Sequence, residues 1–330
     1  MTQAGKVVRL MLGFAGLACL LLAGNQAAAV DFAKAIPKEY RVGGEWALGC
    51  QAYSFKEYSF FEAVDKTKET GCKLIEVFPG QRLSPEDKTA LNHDAPPEVC
   101  EAAKKKCDEA GVKMVAYGVV GLGKDEAANR KVFEFCKKMG ILVIQSEPEE
   151  EALPLVAKLA KEYDIPVALH NHPRPSRYWD PKHCLESVKD LAPWVGSGGD
   201  TGHWMRSGVN PLEAIKMLEG HIVASHTKDL NEFGGEGKSP HDVPFGTGKA
   251  NMKAILDELR RQNFKGPMSI EYEYNWTTSV PEIKQCVEFL KAYSVGEKPT
   301  AEKAAGSEKA ATKKGGSKKG GAKKPKPAAQ

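Results

Sequence analysis

Residues 141–170, ILVIQSEPEEEALPLVAKLAKEYDIPVALH, contain the pattern that decides the fold. The runs ILVIQS and IPVALH are short and apolar, which is typical of buried strands. Between them, residues 151–163 carry apolar side chains at helical spacing. The segment therefore predicts a strand, a helix and a second strand, a unit in which the two strands run parallel.

The same alternation repeats along most of the chain. Strands are predicted to begin near Trp46, Lys73, Val112, Ile141, Ile165, Trp194, His221 and Pro267. Helices are predicted at 60–69, 97–110, 125–139, 151–163, 181–191, 211–219, 252–262 and 281–293. Eight such units predict a single-domain α/β fold, the (β/α)8 or TIM barrel. An open doubly wound sheet is the alternative, but no glycine-rich phosphate loop follows the first strand, WALGCQAYSF.

The first residues of the chain differ in composition from this middle part. Residues 1–29 contain two basic residues, an apolar run at 10–23 and the small-residue sequence AAA at 27–29, a pattern typical of a secretory signal peptide. The apolar run is shorter than the roughly 20 residues that a membrane-spanning helix needs. We therefore expect export to the periplasm or the extracellular space, with residues 30–296 as the barrel domain.

Residues 297–330 consist mainly of Lys, Ala, Gly, Pro, Ser and Glu. Such a segment has too little apolar surface to fold, so we predict a disordered basic tail. The tail contains ten Lys and three Glu, and subtracting its +7 and the +2 of residues 1–29 from the formal +4 of the chain leaves −5 for the barrel. In an exported protein this tail favours contact with anionic envelope polymers; a solvated tail without a specific partner is the alternative.

Metal-competent side chains lie at the ends of four successive predicted strands. His170 ends the run VALH, Asp200 ends GSGGD, His226 ends IVASH and Glu271 ends MSIE. The carboxyl ends of barrel strands converge on one mouth, so these side chains are expected to meet there. Two imidazoles and two carboxylates suit one divalent ion such as Mn, Zn, Co or Fe. Structural hydrogen bonding is the alternative for each residue taken alone.

Several motifs resemble the sugar phosphate isomerase/epimerase family, whose members have xylose isomerase-like barrels and include ketose 3-epimerases. The motifs are DTGHW from Asp200, HTKD from His226, PFGTGKANMKAILDEL from Pro244 and GPMSIEYE from Gly266, and the resemblance extends from about Trp46 to Tyr293. It implies that Asp200, His226 and Glu271 bind the divalent ion. It also implies that His203, three residues after Asp200, contacts the substrate.

One position departs from the family pattern. Members usually have a glutamate at the end of the fifth strand, where this chain has His170 within VALHNHP. Ketose epimerases use two glutamates that flank the sugar, so the resemblance implies that Glu271 is the one catalytic carboxylate left in this chain. His170 is expected either to bind the ion or to act as the second acid/base, because an imidazole titrates near neutral pH. His172, on the same side of the strand, is a candidate for substrate binding or for a role behind the ligands. Arg206 follows DTGHWM closely enough to reach a substrate oxygen.

The resemblance implies an isomerase or epimerase that removes a proton next to the carbonyl of a sugar or keto-sugar through a metal-stabilised enediolate. A keto-glycoside lyase or hydratase would use the same residues, and a carbohydrate-binding barrel without catalysis is a further alternative. Sugar phosphates are mainly cytoplasmic, so the predicted export favours a small carbohydrate without phosphate. The sequence leaves the oligomeric state open.

Nucleic acid is not expected as a partner. The abasic-site endonuclease branch of the superfamily also has a D-T-x-H motif, but it needs further histidines on the second and third strands. This chain has KLIEVFPG and VKMVAYGVV there, without histidine. Predicted export also separates the protein from DNA.

Six further residues are weaker candidates for the barrel mouth, each with a structural role as the alternative. They are Glu76, Tyr117, Glu147, Trp204, Glu273 and Trp276.

Overall fold

The computed structural model describes residues 30–296. The predicted signal peptide at 1–29 and the predicted tail at 297–330 lie outside the described residues, so both stay predictions. Within the described part of the chain, no helix is long and apolar enough to cross a membrane.

Parallel strands form a ring at the centre of the molecule. The strands are β1 (Leu48–Gln51), β2 (Leu74–Val77), β3 (Gln81–Arg82), β4 (Ala90–Leu91), β5 (Lys113–Tyr117), β6 (Val143–Ser146), β7 (Val167–Leu169), β8 (Val195–Ser197), β9 (Ser225–Thr227), β10 (Asp229–Leu230), β11 (Asp242–Val243) and β12 (Met268–Ile270). Eight of them pair in parallel in the order β8-β7-β6-β5-β2-β1-β12-β9. Parallel bridges between Ser197 and Ile222 and between Asp200 and His226 join the β8 and β9 segments. The predicted TIM barrel is confirmed.

Most helices pack around the outside of this ring, and the short helices at 32–35 and 201–206 lie at its two ends. The helices are α1 (Phe32–Ala35), α2 (Phe60–Thr70), α3 (Pro97–Ala110), α4 (Glu126–Met139), α5 (Leu153–Tyr163), α6 (Pro181–Val188), α7 (Thr201–Arg206), α8 (Pro211–Met217), α9 (Met252–Arg261) and α10 (Val280–Val295). Their ends follow local chemistry: Gly71 and Gly111 terminate α2 and α3 with φ of 91° and 69°, a left-handed conformation that favours glycine. The predicted helices agree with the observed ones to within a few residues.

Three elements of the mouth were not predicted: the hairpin β3–β4, the hairpin β10–β11 and the short helix α7. The second hairpin is fixed by the carboxylate of Asp229. That carboxylate accepts backbone N–H groups of Gly246, Gly248 and Ala250 at 2.9, 3.0 and 3.0 Å. The glycine-rich loop after β11 is therefore held against β10, beside the ends of the barrel strands.

The end of the barrel at which the strands begin is apolar. Ile36, Ala47, Leu74 and Val115 form a buried cluster at the amino ends of the first strands, and the partly buried Phe32 of α1 packs against it. Buried polar side chains instead accumulate at the carboxyl ends of β7, β8, β9 and β12. The fold thus places its chemically active groups at one mouth, above an apolar base.

Candidate active site

The four side chains predicted to share one site are brought together. His170 directly follows β7, Asp200 lies three residues beyond β8, His226 is in β9 and Glu271 directly follows β12. All four are buried. Ligand atoms of His170, Asp200 and His226 lie within 4.8 Å of one another. Neighbouring parallel strands therefore do deliver these residues to one point, as the strand-end argument requires.

In three of these side chains, one atom of each lies close to the others. Nδ1 of His226 lies 3.2 Å from Oε2 of Glu271 and 3.7 Å from Oδ2 of Asp200. Among residues 30–296, Nδ1 of His170 is buried without a hydrogen-bond partner, and Oδ2 of Asp200 accepts no hydrogen bond, although the Lys228 ammonium lies 3.1 Å from it. Buried polar atoms without hydrogen bonds are rare because they are costly, and a bound cation would give the His170 nitrogen a partner. The residues present therefore fit a divalent ion.

The opposite nitrogen of His226 is held by a carboxylate. Its Nε2 lies 3.0 Å from Oε1 of Glu76, and the hydroxyl of Ser269 donates to Oε2 of the same carboxylate at 2.6 Å. A histidine that binds a metal commonly donates its second N–H to a carboxylate in this way. Burial lowers the pKa of His226, but the carboxylates of Glu76 and Glu271 outweigh it and raise the pKa well above its ordinary value. Nδ1 thus faces carboxylates that favour a cation there, either a proton or a metal ion.

Lys228 is a member of the site that the sequence did not identify. Its side chain is fully buried, and its ammonium lies 3.1 Å from Asp200 Oδ2, 2.6 Å from Glu271 Oε2 and 2.7 Å from Glu273 Oε2. Burial lowers its pKa, but these carboxylates raise the pKa above the usual value for lysine. The available signal was its spacing: Lys228 is two residues after His226, so strand alternation places both on one side.

The site carries an excess of negative charge. Its carboxylates are Glu76, Asp200, Asp242, Glu271 and Glu273, and its permanent cations are Arg206 and Lys228. With all five carboxylates ionised and the histidines neutral, these charges leave a net −3, and a proton on His226, whose pKa is raised, brings the metal-free site to −2. Burial raises the pKa of Asp200 and raises that of Asp242 to about 7. Uncompensated buried charge is expensive, so this balance also favours a bound cation.

His203 has a defined hydrogen-bonding role beside the ligands. It lies on α7, whose first turn is capped because Oδ1 of Asp200 accepts the backbone N–H of His203 at 2.7 Å. Its Nδ1 lies 3.0 Å from a guanidinium nitrogen of Arg206, which can only donate. Burial and the Lys228 ammonium lower the pKa of His203 well below the ordinary value. The neutral ring therefore carries its proton on Nε2, which lies 3.7 Å from Oδ2 of Asp200.

Arg206 and His172 both contact carboxylates. Arg206 forms ion pairs with Glu273 and, at 2.9 Å, with Asp242, so part of its charge is balanced. Nδ1 of His172 lies 2.7 Å from Glu147, and this hydrogen bond raises the pKa of His172. The side chain of His172 is 46% exposed and packs edge-on against the ring of His170, with a ring separation of 4.4 Å. It therefore lies at the entrance, where a substrate would pass.

The remaining candidates divide between the mouth and the core. Trp276, Tyr53 and Phe78 follow β12, β1 and β2 and are partly exposed, with ring separations from Tyr53 of 5.6 and 5.3 Å. Trp204 is only 1% exposed, so it cannot stack on a sugar. Tyr117 packs on Phe135 of the helix layer at 4.9 Å and does not line the mouth.

Comparison with known proteins identifies the family. The family model described as xylose isomerase-like TIM barrel matches residues 64–293. An uncharacterized protein from Parabacteroides distasonis is 32% identical, covering 75% of this chain and 98% of its own, with a TM-score of 0.61. No curated protein matches the sequence.

Two solved enzymes share the fold at low identity. D-psicose 3-epimerase, solved in the presence of D-fructose, is 15% identical, covering 76% of this chain and 100% of its own, with a TM-score of 0.58. The probable 3-DHS dehydratase AsbF from Bacillus anthracis is 14% identical, covering 74% of this chain and 98% of its own, with a TM-score of 0.56. From its motifs, its barrel and the matching family model, this chain belongs to the xylose isomerase-like TIM-barrel family.

Proposed function

We propose that this protein is a divalent-metal-dependent isomerase or epimerase that removes a proton next to the carbonyl of a sugar or keto-sugar. The observation that carries the proposal is the convergence of His226 Nδ1, Asp200 Oδ2 and Glu271 Oε2, with the other side of the imidazole held by Glu76. That arrangement is typical of a metal ligand set with an oriented histidine. The family's sugar-processing members support the reaction class.

Asp200, His226 and Glu271 would hold the ion, with His170 as the fourth candidate. When bound, the ion would supply the positive charge that stabilises an oxyanion as the proton is removed. Glu271 stays ionised: burial raises its pKa, but Lys228 and His226 outweigh burial and hold the pKa well below the usual range. Oε2 of Glu271 would hold the ion, and the ionised carboxylate could accept the proton through its other oxygen. The Nε2–H of His203 is placed to donate a hydrogen bond to a substrate oxygen.

If it is not the fourth ligand, His170 would act as an acid/base opposite Glu271. Burial and the neighbouring imidazoles of His226 and His172 lower its pKa well below the ordinary value, so the ring is neutral. Nδ1 of His170 can either bind the ion or take part in a proton transfer, because no hydrogen bond within the described residues uses this atom. In the ring order, β8 and β9 separate His170 from Glu271, so the two groups flank Asp200 and His226.

The substrate we propose is a small carbohydrate without phosphate. Two partly exposed aromatic side chains that follow β1 and β2, Tyr53 and Phe78, support a sugar, because aromatic faces pack on apolar sugar faces; one face of Trp276 is instead covered by the Lys56 ammonium at 3.7 Å. Arg206 is balanced by two carboxylates and contributes little to phosphate binding. From the sequence of residues 1–29 we also propose export to the periplasm or the extracellular space. From the basic composition of residues 297–330 we propose that the tail contacts anionic envelope polymers.

Deuterium exchange tests this function. Purified protein loaded with Mn²⁺ is incubated with a panel of ketoses and keto-sugars in deuterated water, and carbon-bound deuterium is measured by mass spectrometry. We expect deuterium uptake that disappears with a chelator and falls at least about 100-fold in Glu271→Gln, the range for loss of an acid/base group. Sugar binding without deuterium uptake would instead support a carbohydrate-binding barrel without catalysis. Full activity of Glu271→Gln would refute the assignment of the base.

A second candidate reaction is elimination or hydration of a keto-glycoside. The observation that favours it is the asymmetry of the pair: Glu271 is an ionised carboxylate that can remove a proton, whereas the neutral ring of His170 can donate an N–H hydrogen bond to the departing oxygen, which takes its proton from water. The fold hosts both an epimerase and a probable dehydratase, so fold alone does not decide. His170→Glu discriminates: a gain of epimerase activity favours a two-carboxylate reaction, whereas loss of glycoside cleavage favours elimination.

A further inference from the structure

The ammonium of Lys228 and the proposed divalent ion use the same oxygens. Nζ lies 3.1 Å from Oδ2 of Asp200 and 2.6 Å from Oε2 of Glu271, which are two of the proposed ligand atoms. Its third partner, Oε2 of Glu273 at 2.7 Å, is outside the ligand set. The ammonium therefore has one carboxylate that it can keep and two that it would share with the ion.

The surroundings of Lys228 are shaped for this buried side chain. Its backbone is fixed by Thr201, whose hydroxyl donates to the Lys228 carbonyl and accepts the Lys228 N–H, both at 2.8 Å. Its stem passes directly over Gly202 of α7. A methyl group at Gly202 would come within 2.7 Å of Cδ and 2.8 Å of Cβ of the lysine, closer than carbon atoms approach. Because Gly202 has no side chain, there is room for the Lys228 side chain to reach the site.

We propose that Lys228 is a resident cation that holds the carboxylates together when no metal is bound and competes with the metal for Asp200 and Glu271. The inference rests on the proposed metal dependence. Without a cation, three carboxylates would face one another in a buried site, at a high electrostatic cost. When an ion takes the shared oxygens, Glu273 remains as the partner of the ammonium. Lys228 is thus a positioning residue that lowers metal affinity and stabilises the metal-free protein.

Lys228→Met tests the competition, because methionine has a similar length and no charge. Mn²⁺ affinity is measured by competition with a chelator, and thermal unfolding is recorded with and without Mn²⁺. We expect the variant to bind Mn²⁺ about tenfold more tightly or better, since it lacks a positive charge close to the ion. Its metal-free unfolding midpoint should fall, and the rise on adding Mn²⁺ should exceed that of the wild type. The control, Lys253→Met, removes an exposed lysine paired with Asp257 at 2.7 Å and should change neither quantity.

Equal or weaker Mn²⁺ binding by Lys228→Met, or an unchanged metal-free midpoint, would overturn the inference. If neither wild type nor variant binds Mn²⁺, the resident-cation proposal and the metal-dependent function both fail. If Mn²⁺ binds competitively but the wild type exchanges no deuterium into sugars, only the proposed function fails.

Wild-type crystals grown with and without Mn²⁺ test the same inference should the variant not fold. We expect the Mn²⁺-bound structure to keep the Lys228–Glu273 contact and to lose the contact with Asp200 or Glu271. An ammonium that remains in contact with both ligand oxygens beside a bound ion would refute the competition.

Discussion

The substitution Glu76→Gln tests whether the carboxylate behind His226 sets the strength of the metal site. Glu76 is buried, lies 3.0 Å from Nε2 of His226 and accepts the Ser269 hydroxyl at 2.6 Å. Glutamine keeps the size and one acceptor oxygen, so the fold should be retained while the negative charge is lost. The variant therefore isolates the electrostatic effect of Glu76 on the ion that His226 would bind.

The expected magnitude follows from the position of this charge. The imidazole and a metal–nitrogen bond place Glu76 about 7 Å from a bound ion. A unit charge and a divalent ion at that distance attract by about 5 kcal/mol at an effective dielectric constant of 20, an upper bound. Glutamine retains a dipole and a hydrogen bond, so we expect affinity to fall about 10- to 100-fold, the usual effect of losing such a partner. This corresponds to about 1.4 to 2.8 kcal/mol.

Chelator competition with Mn²⁺ measures this change directly. Wild type, Glu76→Gln and the exposed control Glu213→Gln are compared, and thermal unfolding of the metal-free proteins verifies that all three fold. The control loses a surface ion pair with Lys216 at 3.0 Å and should bind Mn²⁺ like the wild type. Affinity of Glu76→Gln within about threefold of the wild type would refute the role given to Glu76, since the smallest expected effect is about tenfold.

Three further predictions follow from the contacts of the site and its frame. His203→Gln should lower turnover at least about tenfold while Mn²⁺ affinity changes little, because its Nε2–H is a donor rather than a ligand; a large loss of affinity would make it a ligand. Asp229→Asn should destabilise the protein by about 2 to 3 kcal/mol in urea unfolding, because a charged acceptor of three backbone N–H groups is lost; unchanged stability would contradict this. Mn²⁺ at about 1,000 times its Kd should stabilise the metal-free protein by about 4 kcal/mol; no change would argue against binding to the folded state.

The barrel was predictable because its signals are local. Proline at the first turn of α3, α6 and α8 and glycine after α2 and α3 fix helix ends through backbone geometry alone. The convergence of His170, Asp200, His226 and Glu271 was also predictable, since parallel strands in a closed ring deliver their carboxyl ends to one place.

The parts that escaped prediction depend on contacts between distant segments. Lys228 lies between Thr227 and Asp229, where a lysine is normally taken as exposed, and only the structure shows that it is buried among three carboxylates. Glu76 was only a weak candidate for the barrel mouth, and its contact with His226, 150 positions away, shows what its carboxylate does there. The tautomer of His203 likewise follows from Arg206, whose guanidinium orientation no sequence pattern encodes. Pairwise geometry, rather than residue type, defines these roles.

The central claim is that Asp200, His226 and Glu271 bind a divalent ion, and metal stoichiometry tests it most directly. Metal-free wild type and Asp200→Asn are equilibrated with Mn²⁺, and bound metal is measured by elemental analysis after gel filtration. Asparagine retains the Oδ1 acceptor that caps α7, so this variant should fold. We predict about one ion per wild-type chain and a large loss of binding in the variant, because it lacks a ligand charge. No bound metal in the wild type, or equal binding by Asp200→Asn, would contradict the claim.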